Sequence, residues 1–271
     1  MTSFLFWNLN GKPLESLVAN LARRHEVDVI MLAECETAPA RLLRELNRLR
    51  TEYHYVPQIG CSRIQLFTRF PGESVPPVWE EDRLSLRHLK LPGLTDILLA
   101  VVHFPGKLHF KTESQAFECA ELARVIRDQE TRLGHSRTVL VGDLNMNPFE
   151  SGMVSANGLH AVMTREIARG GSRMVQGREY PFFYNPMWSF FGDNCPGPPG
   201  TYYYHGSEHV VFFWHMFDQV MVRPDLLDRF DSTSLEILAT DGQVQFLSEG
   251  NRRPNTHVAS DHLPITFCLD L

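Results

Sequence analysis

The chain has 271 residues, with 26 Lys+Arg against 32 Asp+Glu and a formal net charge of −6, long enough for a substantial core. Its 43% hydrophobic and 21% charged content is that of a globular protein, so disordered and fibrous classes are excluded, and no apolar run approaches the roughly 18–20 residues that a membrane-spanning helix needs. The acidic balance argues against coating nucleic acid by bulk charge, but not against an enzyme that meets phosphates through a bound cation.

Ser3–Trp7 reads as a strand running into the turn signal Asn8-Leu9-Asn10-Gly11, and it has neither the basic n-region nor the cleavage site of a secretory leader; the expected address is the cytoplasm. Pro13 suits the first turn of a helix, with Leu14, Leu17, Val18 and Leu21 at helical spacing. Val29-Ile30-Met31-Leu32 has the continuous apolar character of a strand buried on both faces, and it ends at Glu34. A second helix is expected to carry Leu42, Leu43, Leu46 and Leu49 on one side, with Arg41, Arg44, Arg48 and Arg50 as a solvated face. Residues 53–104 read as several strands punctuated by Pro and Gly, the strongest being Ile97–Val102, which delivers His103. A helix over about 112–132 follows, then the buried strand Val139–Val141 ending in Gly142-Asp143-Leu144-Asn145. The stretch 180–214, rich in Pro, Gly and aromatics, is too apolar for a linker and reads as a long ordered excursion returning as a strand near Phe217–Val222. Ile237, then Ile265 and Phe267, mark the remaining strands. The five cysteines, Cys35, Cys61, Cys119, Cys195 and Cys268, are odd in number and widely spaced without C-x-x-C, so they read as buried or incidental thiols.

One regularity outweighs any single motif. Polar residues sit just beyond the ends of apolar strands along the whole chain: Asn8 and Asn10, Glu34, His103, Asp143 and Asn145, Asp218, and Asp261 with His262. A strand end is where a rigid scaffold presents side chains to a shared cleft. Each residue alone has an ordinary explanation as a turn former, a cap or a satisfied core histidine; the set does not. Glu34, Asp261 and the amide oxygens of Asn8 or Asn10 are hard ligands suited to Mg²⁺ or Mn²⁺. Such a cation polarises a phosphoryl oxygen, and two imidazoles with acidic partners move the protons of a hydrolysis at neutral pH. Competing motifs are missing: there is no G-x-x-x-x-G-K-[ST], no H-E-x-x-H, no G-x-S-x-G and no G-x-G-x-x-G.

Six blocks, Phe6-Trp7-Asn8-Leu9-Asn10-Gly11, Leu32-Ala33-Glu34, Val102-His103-Phe104, Gly142-Asp143-Leu144-Asn145, Phe217-Asp218-Gln219-Val220 and Ser260-Asp261-His262-Leu263-Pro264-Ile265, span almost the whole chain. In this order they resemble the endonuclease/exonuclease/phosphatase superfamily, which includes deoxyribonuclease I and the exonuclease III-type apurinic/apyrimidinic endonucleases. The resemblance implies a single domain over 1–271 folded as a four-layer α/β sandwich, two packed mixed β-sheets flanked by helices, with the cleft at one end. It implies metal binding at Glu34, Asn8, Asn10 and Asp261, and catalytic roles for His103, Asp143, Asn145, Asp218 and His262. His262 is expected as general base or water-orienting group with Asp218 fixing its tautomer, a base role that Asp143 shares or takes over; Asn145 and His103 would hold or protonate phosphoryl oxygens.

The implied activity is that of a Mg²⁺- or Mn²⁺-dependent phosphodiesterase, foremost a nuclease with DNA or RNA as its partner. The alternatives are a phosphomonoesterase or small-molecule phosphodiesterase of the inositol-phosphate or lipid type, and, more remotely, a binding module with a dead site. The aromatic segment, with Trp188, Tyr202, Tyr203, Tyr204 and Trp214, departs from the nuclease pattern. It is read either as core or as a rim platform that sets substrate choice without touching the chemistry. Lys107, Lys111, Arg63 and Arg173 are the sparse candidates for phosphate contacts, each as readily a solvated surface charge. The sequence leaves the oligomeric state open.

Overall fold

The computed structural model describes residues 1–107, 111–250 and 252–271. In chain order the strands are β1 (Thr2–Asn8), β2 (Val29–Ala33), β3 (His54–Val56), β4 (Ile64–Thr68), β5 (Pro77–Glu81), β6 (Leu84–Leu89), β7 (Ile97–His103), β8 (Thr138–Asp143) and β9 (Ala161–Val162). They continue with β10 (Ser172–Val175), β11 (Arg178–Pro181), β12 (Phe183–Tyr184), β13 (Tyr202–Tyr203), β14 (Trp214–His215), β15 (Asp218–Val222), β16 (Phe230–Ile237) and β17 (Ile265–Leu269). The longer helices are α1 (Glu15–Arg24), α2 (Pro39–Leu46) and α3 (Thr112–Leu133). No helix among the described residues is long and apolar enough to cross a membrane.

Two mixed sheets carry the fold, one of order β16-β17-β1-β2-β4-β3 and one of order β5-β6-β7-β8-β15-β12-β9. The alternation of a strand splits each run between two faces. In β7, Ile97, Leu99 and Val101 join the core shared with the first sheet, while Leu98, Ala100 and Val102 pack with Cys119, Leu122, Ala123 and Ile126 of α3. Both faces being covered, the strand reads as an unbroken apolar run. On the far side of the first sheet, Val18, Ala19, Leu21 and Ala22 of α1 bury the helical stripe expected from the sequence. The expected four-layer α/β sandwich is the fold observed. The second helix is shorter than its leucine spacing suggests: it ends at Leu46, and Leu49 lies beyond it, largely exposed. All five cysteines are free thiols, Cys61 and Cys119 buried.

Strand direction decides where polar residues gather. β1 and β2 are parallel, as are β7 and β8, so their C-terminal ends share an edge of each sheet. β15 runs antiparallel to β8 with Asp218 opposite Asp143, and β17 runs antiparallel to β1, so these two strands begin at the same end. Gly142 makes one junction possible: a Cβ there would lie 1.9 Å from the Val102 carbonyl oxygen, so no side chain fits between β7 and β8 just before Asp143.

A buried ion pair ties α3 to the second sheet. Arg223, 2% exposed, donates from Nε to Glu130 Oε1 (2.8 Å) and from Nη1 to the Phe182 carbonyl (3.0 Å), and stacks 3.9 Å above the Phe183 ring. Removing one partner strands the other charge in the core. Glu130→Ala is therefore expected to cost roughly 3–5 kcal/mol in urea unfolding, and Glu130→Leu combined with Arg223→Met to recover most of it. A double variant no more stable than the single one would show that packing, not the stranded charge, sets the cost.

Candidate active site

The sequence-singled residues meet at that shared end, at the seam between the two sheets. Asn8, closing β1, is buried; its Nδ2 donates to Asp143 Oδ2 across the seam (2.9 Å) and, at 3.4 Å, to Glu34 Oε1. Its Oδ1 accepts the Asn10 N–H (2.9 Å). In this arrangement Asn8 orients carboxylates, with one lone pair of its oxygen already engaged. Asn10 itself is exposed in the turn that follows.

Glu34 sits one residue past β2, its side chain 36% exposed. Its Oε1 lies 3.0 Å from His103 Nε2. The hydrogen bond from His103 is the main reason that its carboxyl is held at about 2, against the opposing cost of burial. A carboxylate only accepts, so His103 Nε2 carries the proton of this contact; His103 Nδ1 is buried without a hydrogen-bond partner among the described residues. Asn10, Glu34 and Asn145 all have left-handed backbones, with φ of 49°, 47° and 50°. Asparagine tolerates that region; for a glutamate it costs roughly 1–2 kcal/mol, which the surroundings hold in place through the Glu34 N–H to the Arg63 carbonyl (3.2 Å) and the Gly11 N–H to the Glu34 carbonyl (2.9 Å).

Asp143, at the end of β8, is 1% exposed. Its Oδ1 accepts the Asn145 N–H (2.9 Å), and its Oδ2 lies 3.9 Å from both His103 Nε2 and His262 Nε2. Burial pushes its carboxyl above the usual range, opposed by the two imidazoles. Asn145 Nδ2 donates to the Phe104 carbonyl (2.9 Å), which fixes the amide at the mouth of the site. Asp218, fully buried at the start of β15, accepts from His262 Nδ1 at 2.8 Å. Burial alone would pull the His262 imidazole down, but Asp218 and Asp143 outweigh it and hold the ring at about 10. Asp261, half-buried, accepts from Ser260 Oγ (3.2 Å). Asp143, Asp218 and His262 form a tight cluster with one ligand atom each within 4.8 Å of the others.

The aromatic excursion is divided. Its inner end touches the machinery: Thr201 Oγ1 accepts the N–H groups of Phe217 (3.2 Å) and Asp218 (3.1 Å), and its carbonyl accepts the Leu263 N–H (2.8 Å). The Tyr202 ring lies 4.8 Å from the His262 ring and stacks on Phe217. The expectation that this segment stands apart from the chemistry is thus corrected for Thr201 and Tyr202. Trp188 packs against Phe149 and Phe191 and lines a cavity of about 320 Å³ with His160, Met163 and Arg173, so it belongs to the sheet edge and not to the cleft rim. Tyr203 packs edge-on against Trp214, with the Arg253 guanidinium 4.3 Å above its ring. Tyr204, Phe212 and Phe213, beyond the β13–β14 pair, are exposed.

Sequence reasoning missed Thr201, and it placed Trp7 in a strand and Tyr202 in the aromatic segment without finding their contacts to the site: the Trp7 indole N–H donates to the His262 carbonyl (2.8 Å). Thr201 belongs to no periodic pattern, and only the block order around it hints at its place. Among the basic candidates, Lys107 is paired with Glu150 and Arg63 lies 3.8 Å from Asp82, while Lys111 is exposed just ahead of α3 and Arg173 lies on the β10–β11 hairpin.

A model of the Endonuclease/Exonuclease/phosphatase family matches residues 5–262. Among solved structures, the chain is similar to the 3′ phosphatase NExo from Neisseria bound to product DNA hairpin, at 15% identity and a TM-score of 0.57 with 100% of both chains covered. It is also similar to an AP endonuclease from Archaeoglobus fulgidus, at 16% identity and a TM-score of 0.56 with 100% of both chains covered. A third likeness is to truncated Caenorhabditis elegans TDP2, at 17% identity and a TM-score of 0.54, covering 98% of this chain and 97% of that one. Identities this low bear on the fold alone. No curated protein sequence matches the chain. The match over nearly its whole length shows that this chain belongs to the Endonuclease/Exonuclease/phosphatase family.

Proposed function

We propose that the chain is a divalent-metal-dependent phosphodiesterase, with nucleic acid as its substrate. The observation that carries this is the convergence, at one seam, of an ionised half-exposed carboxylate, a buried Asp–His pair and a second buried aspartate with its own amide donors. The donor set fits Mg²⁺ or Mn²⁺. Among the described residues, the side-chain contacts of Glu34 with His103 and Asn8 both fall on Oε1, leaving Oε2 as a hard donor, and Asp261 and Asn10 would be the further oxygens. The imidazoles are committed elsewhere, His262 Nδ1 to Asp218 and His103 Nε2 to Glu34. When bound, such a cation polarises the phosphoryl group and offsets its developing negative charge.

The chain's own residues supply the rest. Asp143, locked by the Asn145 N–H and the Asn8 amide, accepts the proton of the attacking water. The His262 ring, flanked by two carboxylates, keeps its Nδ1 proton on Asp218 and presents Nε2 to the phosphoryl oxygens as a donor. Asn145 orients the substrate at the mouth of the site, and His103 holds the Glu34 carboxylate in place. A phosphomonoester or other small phosphate ester is the second reading. It is favoured by the net charge of −6 and by the pairing of Lys107 with Glu150. Incubation with Mg²⁺ against plasmid DNA, single-stranded DNA, RNA and inositol phosphates separates the two.

Glu34→Gln keeps the shape and removes the charge. It is expected to raise the Mg²⁺ concentration needed for half-maximal turnover by about tenfold or more, the least that loss of a charged ligand costs. Wild-type turnover that persists in excess chelator would sink the assignment. Asp143→Asn and His262→Gln are each expected to lower turnover by roughly two decades or more. Both residues are buried in the hydrogen-bond network, so melting temperature falls as well; the comparison belongs well below the melting point, where a loss no larger than the unfolded fraction would mean a structural role only.

The exposed rings in the connection between β13 and β14 test the nucleic-acid reading. Phe212→Ala and Tyr204→Ala are expected to weaken single-strand binding by roughly 1–3 kcal/mol each, while hydrolysis of a small phosphodiester without a base is unchanged. Equal losses on both substrates would remove base stacking from the account.

A further inference from the structure

A second cluster of ligating side chains lies at the other end of the second sheet, and the proposed reaction does not use it. His88 is near the end of β6, Asp96 immediately precedes β7, and His135 follows the left-handed Gly134 that caps α3. β7 runs from this end towards His103, so the cluster and the cleft lie at opposite ends of one strand. In the β6–β7 register His88 faces Leu98, and both share the parity of the residues that pack on α3. Asp96 continues that parity, and the end of α3 brings His135 to it.

His88 Nε2 lies 2.8 Å and His135 Nε2 3.4 Å from the same oxygen, Asp96 Oδ2, and one ligand atom from each residue lies within 4.8 Å of the others. A tetrahedral Zn²⁺ with bonds of about 2.0–2.1 Å holds its ligand atoms roughly 3.3–3.4 Å apart, a spacing that the His135–Asp96 contact already has and the His88–Asp96 contact approaches. His135 is the independent pointer. Its side chain is 6% exposed, and its Nε2 is buried without a hydrogen-bond partner among the described residues, aimed at the carboxylate. The other carboxylate oxygen, Oδ1, is held by the Arg137 guanidinium, whose Nε donates to the Asp96 carbonyl (2.8 Å). Such an outer contact orients a carboxylate ligand and leaves Oδ2 turned to the histidines. His88 and Asp96 keep side-chain exposures of 19% and 29%, which gives an ion a route in and a water the fourth position.

We propose that His88, Asp96 and His135 form a second cation site, distinct from the cleft and selective for a borderline transition dication such as Zn²⁺. Two imidazoles with one carboxylate favour zinc over magnesium, the reverse of the oxygen-rich cleft. Two features moderate its affinity. The Arg137 charge repels the ion. The Arg137 N–H also donates to His135 Nδ1 (3.2 Å), and coordination through Nε2 moves the ring proton to Nδ1 and gives up that contact. The site therefore adds stability at the base of β7 instead of being a condition for folding.

The test uses the full chain, stripped with chelator and carrying Glu34→Gln, Asp261→Asn and His262→Gln, so that neither the cleft carboxylates nor the Asp143–Asp218–His262 cluster competes. Titration with Zn²⁺ alone is expected to show one equivalent bound with a rise in melting temperature. His88→Gln and His135→Gln are each expected to weaken binding by about 100-fold or more, beyond what an outer-contact change does, and to abolish the rise. Co²⁺ in place of Zn²⁺ gives a reading on the unsubstituted cluster: tetrahedral d–d absorption that His135→Gln removes. Absence of both binding and absorption, or binding indifferent to the two histidines, would overturn the proposal. Turnover enters neither measurement, so the outcome stands independently of the phosphodiesterase reading.

Discussion

Of the polar contacts that cross the seam between the sheets, those on which the site depends are Asn8 to Asp143, Glu34 to His103, and His262 to Asp218. In each, one partner belongs to the first sheet or its strand ends and the other to the second. A buried carboxylate is tolerated only when paired or hydrogen-bonded, so each sheet supplies what the other's charge requires. The position of one sheet on the other is therefore a condition of the chemistry, and the large shared apolar core is what holds it. Gly142, Trp7 and Thr201 serve the same end by letting strands approach closely or by tying strand ends together.

Much of this was legible in the sequence because burial on both faces leaves a plain mark. Val29–Leu32 and Ile97–Val102 are continuous apolar runs, and the polar residue that ends each run is the one presented at the seam. The pairing was not legible. Nothing in the spacing of Asn8 and Asp143 says that one amide bridges them, and the layering itself came from resemblance to a family. Leu49 failed because helical spacing continues past the last hydrogen-bonded turn of α2. Nor does the spacing announce that Asp143 and Asp218 are buried and bonded on several sides. Thr201 left no sign, and Tyr202 stood out only as one ring among several, because their contacts are fixed by tertiary neighbours alone.

The aromatic segment shows how one stretch of sequence divides between tasks. Arg223 reaches the carbonyls of Pro181 and Phe182 at its beginning, Thr201 and Tyr202 brace the Asp218–His262 pair, and Tyr204, Phe212 and Phe213 face solvent beyond them. A rim of this kind is anchored by the same groups that hold the Asp218–His262 pair. Changes to its exposed rings leave the anchor alone, and changes near Tyr202 do not.

The left-handed backbone at Glu34 sets stability against purpose at a single position. Glycine, or asparagine, would relieve the strain that a glutamate bears there. A redesign guided by stability alone would be drawn to this residue and would erase the carboxylate in the act of improving the fold. On the proposed reading, such a variant melts higher and holds its cation less well, so stability and function pull position 34 in opposite directions.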